Sequence, residues 1–296
     1  MSQAEGLLIK GIGGFYYVQV GDTVYECKAK GIHRKNRITP LAGDAVTISF
    51  NPSGYCSLDE IHERKNFLNR PPVANVDKLF ILASTREPMP STFVIDKFTA
   101  IAQDKGIDCA VVFTKTDLAA ADELVEIYQK SGFDVFALST QNDNGLEELK
   151  AAMNGKICVL CGNSGVGKST LLNRLCPELR LETGEISEKL GRGRHTTRQV
   201  ELFRVGDGYI ADTPGFAAIE LDGEERIVKE NLPFAFREFL PYLGRCRFTS
   251  CTHVADKGCL ICQAVEEGRI MPSRHESYVA LYNEAKNIKD WELKTK

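Results

Sequence analysis

The sequence lacks several features that would assign it to a membrane or to an export pathway. Its N-terminus has no basic segment followed by a long apolar run, so no signal peptide is expected. No stretch approaches the roughly 18 apolar residues of a membrane span. Charge of one sign is not in excess either, because 37 basic residues stand against 40 acidic ones. We therefore expect a cytoplasmic protein, without a membrane partner, that meets any nucleic acid through a local patch.

Cysteine, by contrast, is plentiful, with ten among 296 residues. Six are scattered, several of them within apolar runs, and without an export signal they are predicted to be reduced, buried small hydrophobic residues. These six are Cys27, Cys56, Cys109, Cys158, Cys161 and Cys176. The other four cysteines cluster between positions 246 and 262, which requires a separate explanation.

The order of predicted elements indicates three domains. Residues 1–70 read as short strands separated by turn residues, which is typical of a small barrel. We expect an OB-like barrel, although the pattern also allows an SH3-like one. After a predicted linker at Arg70-Pro71-Pro72, residues 71–221 alternate apolar strands with helices, which indicates a parallel sheet covered on both faces. Residues 222–296 are predicted to be mainly helical.

A basic run without any acidic residue lies in the predicted barrel. It is either a solvated loop or a surface that contacts the phosphate backbone of a nucleic acid. Its members are Lys28, Lys30, Arg34, Lys35 and Arg37.

A phosphate-binding loop is predicted after the apolar strand KICVLC. The segment GNSGVGKS matches G-x-x-x-x-G-K-[ST] and leads into a predicted helix, which is the context that the motif requires. Backbone N–H groups and the helix N-terminus would face the phosphates, Lys168 would reach the β- and γ-phosphates, and Ser169 would ligate Mg²⁺. The predicted contact residues are Gly162, Asn163, Ser164, Gly165, Val166, Gly167, Lys168, Ser169 and Thr170.

Three further segments complete a predicted guanine-nucleotide site. Asp212-Thr213-Pro214-Gly215 ends a predicted strand, where Asp212 would reach Mg²⁺ and Gly215 the γ-phosphate. Thr114-Lys115-Thr116-Asp117 resembles the [NT]KxD element, whose carboxylate accepts hydrogen bonds from guanine and would be left unpaired by adenine. Thr114 replaces the usual Asn, so the base contact that Asn makes in this element is not assigned. Ser139-Thr140 resembles the accompanying Ser-Ala element.

The order of these motifs is circularly permuted. GTPases usually have the phosphate loop first, whereas here the TKTD segment and Ser139-Thr140 precede it and the DTPG segment follows it. A fold tolerates this change if its original ends lie close in space. The chain leaving Gly215 runs directly into the C-terminal region, so we predict that nucleotide state sets the position of that region.

With these motifs the chain resembles the RsgA/YjeQ family of ribosome small-subunit-dependent GTPases over nearly its whole length. The resemblance implies an OB domain, a permuted GTPase domain and a zinc domain. It also implies a monomer that uses GTP with Mg²⁺, binds small-subunit rRNA, and acts in late maturation of the small (30S) ribosomal subunit with subunit-stimulated hydrolysis.

Switch I is expected in the segment GRGRHTT, residues 191–197. Thr197, slightly preferred to Thr196, would ligate Mg²⁺ and sense the γ-phosphate. Phe216 follows the DTPG segment where many GTPases have a water-orienting Gln, and it cannot hydrogen-bond water. His195 is therefore the candidate for this catalytic role, with a surface histidine in a loop as the alternative.

A cysteine–histidine cluster lies in the predicted helical region. Three thiols and one imidazole suit Zn²⁺ in a closed, four-coordinate structural site. The predicted ligands are Cys246, Cys251, His253 and Cys259, with Cys262 as an alternative fourth ligand. Cys259 is preferred because its spacing fits the family's motif.

Two other classes of function remain open on the residues alone. A P-loop ATPase or small-molecule kinase is disfavoured by Asp117, and selectivity between guanine and adenine would decide. An RNA-binding module with a vestigial nucleotide site is disfavoured by Lys168, Ser169 and Asp212, and measurable turnover would exclude it.

Overall fold

The computed structural model describes residues 2–29, 39–51, 55–139, 141–177, 200–212 and 226–287. Their contacts divide the chain into two compact units. One comprises Met1–Lys78, Lys150–Leu160 and Ser169–Ile219, and the other comprises Leu79–Leu149, Cys161–Lys168 and Glu220–Lys296. Among the described residues, no helix is both long and apolar enough to cross a membrane. The domain boundaries drawn from the sequence stay a prediction.

Five strands form the N-terminal barrel of the first unit. They are β1 (Gln3–Ile12), β2 (Phe15–Val20), β3 (Thr23–Ala29), β4 (Ala45–Phe50) and β5 (Cys56–Ile61). The strand order is β1-β2-β3-β5-β4, and β1 also pairs with β4, which closes the barrel. Apolar residues that alternate along the strands, among them Leu8, Val18 and Leu58, fill its core. The expectation of an N-terminal barrel is confirmed.

The segment expected to be a linker is a hairpin instead. Strands β6 (Phe67–Asn69) and β7 (Pro72–Ala74) pair antiparallel, with Asn69 opposite Pro72. Leu68 and Val73 are fully buried, which gives this short hairpin a packed face. Pro72 is tolerated because it is the first residue of its strand. The two prolines therefore mark a tight connection between strands rather than a spacer.

The elements of the GTPase region are strands and helices. In chain order they are β8 (Lys78–Ser84), α1 (Thr92–Asp104), β9 (Asp108–Thr114), α2 (Asp122–Lys130), β10 (Asp134–Ala137), α3 (Leu146–Met153), β11 (Ile157–Cys161), α4 (Lys168–Leu175), β12 (Glu201–Val205) and β13 (Gly208–Asp212). From β8 to α4 the elements alternate as the sequence indicates, whereas β12 and β13 follow one another and pair antiparallel, which departs from the expected parallel sheet. Every residue of β8 is buried, as its unbroken apolar pattern predicts. In the first unit β11 runs parallel to β13. In the second unit the strand order is β10-β9-β8, with β9 and β10 parallel.

The C-terminal region packs around aromatic side chains within the second unit. It contains two 3₁₀ helices (Leu232–Ala235 and Arg237–Tyr242), α5 (Leu260–Glu266) and α6 (Pro272–Lys286). Phe236 and Phe239 stack with ring centroids 5.2 Å apart, and Tyr278 meets both rings edge-on. Helix α6 also packs against α1 of the GTPase region. The mainly helical character predicted here is confirmed.

Candidate functional site

The phosphate loop connects β11 to α4, as its motif predicts. Gly162, Gly165 and Gly167 have φ angles of +142°, +78° and +93°, which L-residues with a side chain rarely adopt. A Cβ on Gly162 would lie 2.3 Å from the carbonyl oxygen of Leu82. Glycine is thus required at this position both for the backbone conformation and for the close approach to β8. The turn leads directly into α4, whose N-terminus carries the positive potential that favours an anion.

Lys168, the first residue of α4, folds back over this loop. Its ammonium group donates to the carbonyl oxygens of Gly162, at 2.5 Å, and of Asn163, at 2.7 Å. Burial lowers the pKa of Lys168 to about 8, because the surroundings desolvate the charged form. A phosphate anion beside the ammonium group would offset that desolvation, so the site favours an anionic ligand.

The two segments predicted to read guanine are brought together at the ends of β9 and β10. The hydroxyl of Ser139 donates to Asp117 Oδ1 at 3.1 Å, although the two residues are 22 positions apart. The backbone N–H of Thr116 donates to the carbonyl of Leu138 at 3.2 Å. Ser139 therefore holds one oxygen of the carboxylate. Thr140 lies outside the described residues.

Thr114, which replaces the usual Asn of this element, makes a hydrogen bond to the phosphate loop. Its buried hydroxyl donates to the carbonyl oxygen of Val166 in the phosphate loop at 2.6 Å. Lys115 has a φ of +59°, and its carbonyl accepts a hydrogen bond from the Thr85 hydroxyl at 2.7 Å. The Lys115 ammonium donates to the carbonyl of Glu87. Thr114 thus links the guanine-reading segment to the phosphate loop.

The remaining predicted nucleotide and magnesium contacts are described only in part. Asp212 is the last residue of β13, and Ser169 is the second residue of α4. His195, Thr196, Thr197 and Gly215 lie outside the described residues. The roles of these residues in hydrolysis and Mg²⁺ binding therefore rest on the sequence.

The cysteine–histidine cluster assembles as predicted, with its four ligand atoms within 4.8 Å of one another. His253 Nδ1 lies 3.6 Å from Cys246 Sγ and 3.5 Å from Cys259 Sγ, and these two sulfurs are 4.0 Å apart. Backbone N–H groups of Leu260 and Cys262 point at the sulfurs of Cys246 and Cys259, respectively. The cluster could hold a metal ion, because it offers three sulfurs and one nitrogen around a single point.

Burial shapes the chemistry of this cluster. It lowers the pKa of His253, which favours the neutral imidazole that ligates metals. It also raises the pKa of Cys251, and a bound cation would offset this shift by stabilising the thiolate. Cys262 stands apart, because its thiol donates to the carbonyl oxygens of His253 and Val254. This geometry favours Cys259 over Cys262 as the fourth ligand.

Several residues that support these sites carry no signal in the sequence. Thr85 supports the Lys115 backbone, and Leu82 sets the close approach at Gly162. Asp256 accepts hydrogen bonds from the backbone and the hydroxyl of Thr252, inside the loop that carries the cysteine–histidine cluster. Each is a common residue type in an ordinary position, so only the three-dimensional contacts reveal its part.

The permuted order, the phosphate loop and the paired Asp117–Ser139 element together define a circularly permuted P-loop GTPase. Comparison with known proteins agrees. The RsgA GTPase family model matches residues 61–222, and the RsgA N-terminal domain model matches residues 5–55. The chain belongs to the RsgA GTPase family, whose members hydrolyse GTP.

Similar proteins align over almost the full chain. Two relatives are named "small ribosomal subunit biogenesis GTPase RsgA". The one from Geobacillus sp. (strain WCH70) is 42% identical, over 97% of this chain and 99% of its own. The one from Alkaliphilus metalliredigens is 44% identical, over 96% and 98%.

Two solved structures are similar as well. The circularly permuted GTPase YloQ has a TM-score of 0.82 and 34% identity, covering 97% of this chain and 96% of its own. YjeQ from Thermotoga maritima has a TM-score of 0.83 and 33% identity, covering 97% and 100%.

Proposed function

We propose that this protein is a GTPase that acts in late maturation of the small (30S) ribosomal subunit and whose hydrolysis of GTP is stimulated by that subunit. The observation that carries the nucleotide part is the Ser139–Asp117 pair, joined to the phosphate loop through Thr114 and Val166. The names of the full-length relatives support the ribosomal part. The proposed setting is the cytoplasm and the proposed form is a monomer, to be checked by light scattering.

The proposed roles of the nucleotide contacts follow from the chemistry of their groups. Residues 162–170 would cradle the phosphates, with Lys168 on the β- and γ-phosphates. Ser169, Asp212 and Thr197 would hold the Mg²⁺ that accompanies GTP, and Gly215 would face the γ-phosphate. Thr114, Lys115, Asp117, Ser139 and Thr140 would surround the base. Magnesium would supply the positive charge that neutralises the transferring phosphoryl group.

His195 is the proposed water-orienting residue. A histidine side chain can accept a proton from a nucleophilic water or orient it by hydrogen bonding, whereas the phenyl ring of Phe216 cannot. Thr197 and the arginines of the GRGRHTT segment lie beside it in sequence, where developing phosphoryl charge would need partners. The role assigned to His195 is thus chemical and separate from the binding of the nucleotide.

The proposed rRNA contact surface includes the basic run in the barrel. Lys28, near the C-terminal end of β3, lies over the ring of Phe15, with its ammonium nitrogen 5.3 Å from the ring centroid. A lysine above a half-buried aromatic ring offers a cation to a phosphate of single-stranded RNA beside a ring on which a base could stack. The other four basic residues of the run lie outside the described residues.

The hydrolysis rate with and without purified small subunits tests the proposed function. We expect subunits to raise the single-turnover rate, because they would order the groups around the phosphoryl oxygens. His195→Ala should lower the stimulated rate by about 10²-fold while GTP affinity changes little. A rate in the wild-type protein that subunits leave unchanged would contradict the proposal. An unaffected His195→Ala rate would move the water-orienting role to another group.

The metal of the cysteine–histidine cluster is proposed to be one structural Zn²⁺. A tetrahedral zinc site with the usual Zn–S and Zn–N bonds has ligand-to-ligand edges of roughly 3.5–3.8 Å. The separations of 3.5, 3.6 and 4.0 Å in the cluster are close to these edges. Four protein ligands leave no open position, so zinc would supply folding energy rather than catalysis.

Loss of a ligand should therefore remove the zinc and unfold the surrounding loop. We expect about one Zn²⁺ per wild-type chain in elemental analysis, and close to none in Cys246→Ser or His253→Ala. Cys262→Ser is the matched control, because a serine hydroxyl can still donate to the carbonyl of His253, and it should retain the metal. Carefully prepared wild-type protein without zinc would defeat this ligand set.

A further inference from the structure

Arg274, on helix α6 of the C-terminal region, is a fully buried charge. Its guanidinium group donates to Asp96 Oδ1 on α1 at 2.7 Å and to Thr99 Oγ1 at 2.9 Å. It also makes a forked pair with the two carboxylate oxygens of Glu238, at 2.6 and 3.2 Å. Burying such a group is costly, and apolar residues often replace a buried ion pair without loss of stability. A role in holding neighbouring elements in fixed positions explains the buried arginine better than a gain in stability does.

The contacts of Arg274 extend to the segment between the two guanine-reading elements. Asp96 Oδ1 also accepts a hydrogen bond from the hydroxyl of Tyr128 on α2, at 2.9 Å. The guanidinium carbon lies 5.2 Å from the ring centroid of Phe133, which directly precedes β10. Arg237, also in the C-terminal region, donates to the carbonyl of Gly132 at 2.9 Å. The C-terminal region therefore contacts the end of α2 and the turn into β10.

The end of α2 and the turn into β10 contact the strands that lead to Asp117 and Ser139. Tyr128 packs against Phe113, with ring centroids 5.9 Å apart, and Phe113 is the last residue before the TKTD segment. Phe133 directly precedes β10, which ends two residues before Ser139. A shift of α2 would therefore move both ends of the Asp117–Ser139 hydrogen bond.

On its other side, α6 is hydrogen-bonded to the loop that carries the cysteine–histidine cluster. His275 is hydrogen-bonded through Nε2 to the carbonyl of His253 at 2.8 Å, and the Tyr278 hydroxyl donates to the carbonyl of Thr252 at 2.7 Å. Neighbouring residues of one helix thus contact the cysteine–histidine loop and the buried carboxylates. The position of Arg274 depends on the fold of that loop.

We propose that Arg274 is a positioning residue for guanine recognition: from the C-terminal region it fixes α2 and the turn before β10, and so aligns Asp117 with the base. This inference rests on the proposed role of Asp117 as the guanine-reading carboxylate. Its consequence is that discrimination for guanine, and not only overall stability, depends on a residue about 150 positions away in the sequence.

The test compares affinities for GDP and for inosine diphosphate, which lacks only the exocyclic amine of guanine. Misalignment of Asp117 weakens the contact with that amine, so the ratio of the two affinities should fall by roughly fivefold in Arg274→Lys, a size typical of coupling through packed side chains. Lysine keeps the charge but cannot make the fork. Tyr128→Phe, which removes only the hydroxyl on Asp96, should lower the ratio in the same direction.

Arg269→Lys is the matched control, because this exposed arginine pairs with Glu267 and Tyr242, which both belong to the C-terminal region. It should leave the ratio unchanged. Partial unfolding reduces binding of both nucleotides equally, so equal losses in Arg274→Lys and Tyr128→Phe would overturn the proposal. A wild-type protein that binds both nucleotides equally would instead refute Asp117 as the guanine reader, and the positioning role with it.

Discussion

Replacing Lys168 by alanine is expected to abolish GTP hydrolysis. The ammonium group lies over the phosphate loop within 2.5 and 2.7 Å of two of its carbonyl oxygens, where the β- and γ-phosphates would bind. Without it, the negative charge that develops on the phosphoryl oxygens would lose a protein cation at the phosphate loop. We expect the single-turnover rate to fall by about 10³-fold or more.

The control for this variant is Lys130→Ala. Lys130 is an exposed residue in the last turn of α2 that pairs with Glu126 one helical turn away, and its loss should leave the rate unchanged. Ser169→Ala should also stop turnover, through loss of a Mg²⁺ ligand. Hydrolysis at the wild-type rate in both phosphate-loop variants would remove this loop from the mechanism.

Asp117→Asn is expected to change the selectivity of the site from guanine to xanthine nucleotides. The asparagine carbonyl can still accept hydrogen bonds from Ser139 and from N1–H of the base, while its amide group donates where the carboxylate accepted. Guanine has an amine, a donor, at that place, whereas xanthine has a carbonyl, an acceptor. Affinity for GTP should fall by about 10²-fold, as one hydrogen bond is lost and the other no longer goes to a charged group, and affinity for xanthosine triphosphate should rise.

Titration with fluorescent nucleotide analogues measures both affinities. Asp122→Asn is the matched control, since Asp122 is an exposed residue in the first turn of α2 and makes the same change of charge. It should leave both affinities near the wild-type values. Unchanged GTP affinity in Asp117→Asn would refute the assignment of the TKTD segment.

Much of the fold could be predicted because local sequence patterns and burial agree. The strand at 78–84 is apolar at nearly every position and is buried throughout. The phosphate loop is constrained by glycine at positions that need positive φ, so its motif predicts its conformation. The cysteine–histidine cluster was found because its four ligands lie within 14 residues and share one chemistry.

What could not be predicted depends on contacts between residues far apart in the sequence. Two adjacent prolines indicated a linker at 70–72, but buried Leu68 and Val73 make the segment a hairpin. The partner of Thr114 is a carbonyl 52 positions away. Arg274 is one charged residue in a polar helix, and no spacing marks it as buried. Such side chains become informative only when their partners are known.

The packing of the C-terminal region bears on the prediction that nucleotide state moves it. The buried pairs of Arg274 with Asp96 and Glu238 join α6, α1 and the second 3₁₀ helix within one compact unit. Separating α6 from α1 would break these pairs and expose apolar side chains that pack together in one core, among them Ala100 of α1 and Leu281 of α6. We therefore expect the C-terminal region to stay with α1 and the guanine-reading segments when GTP is hydrolysed.

The proposed coupling between GTP and the small subunit leads to the central claim that the bound nucleotide controls engagement of the subunit, and one binding measurement tests this claim most directly. Affinity for purified small subunits is measured with a non-hydrolysable GTP analogue and with GDP, at matched salt because phosphate contacts are salt-dependent. We predict tighter binding with the analogue by about tenfold or more, and by linkage the subunit must raise affinity for the analogue over GDP by the same factor. Equal subunit affinity in the two nucleotide states would contradict the claim.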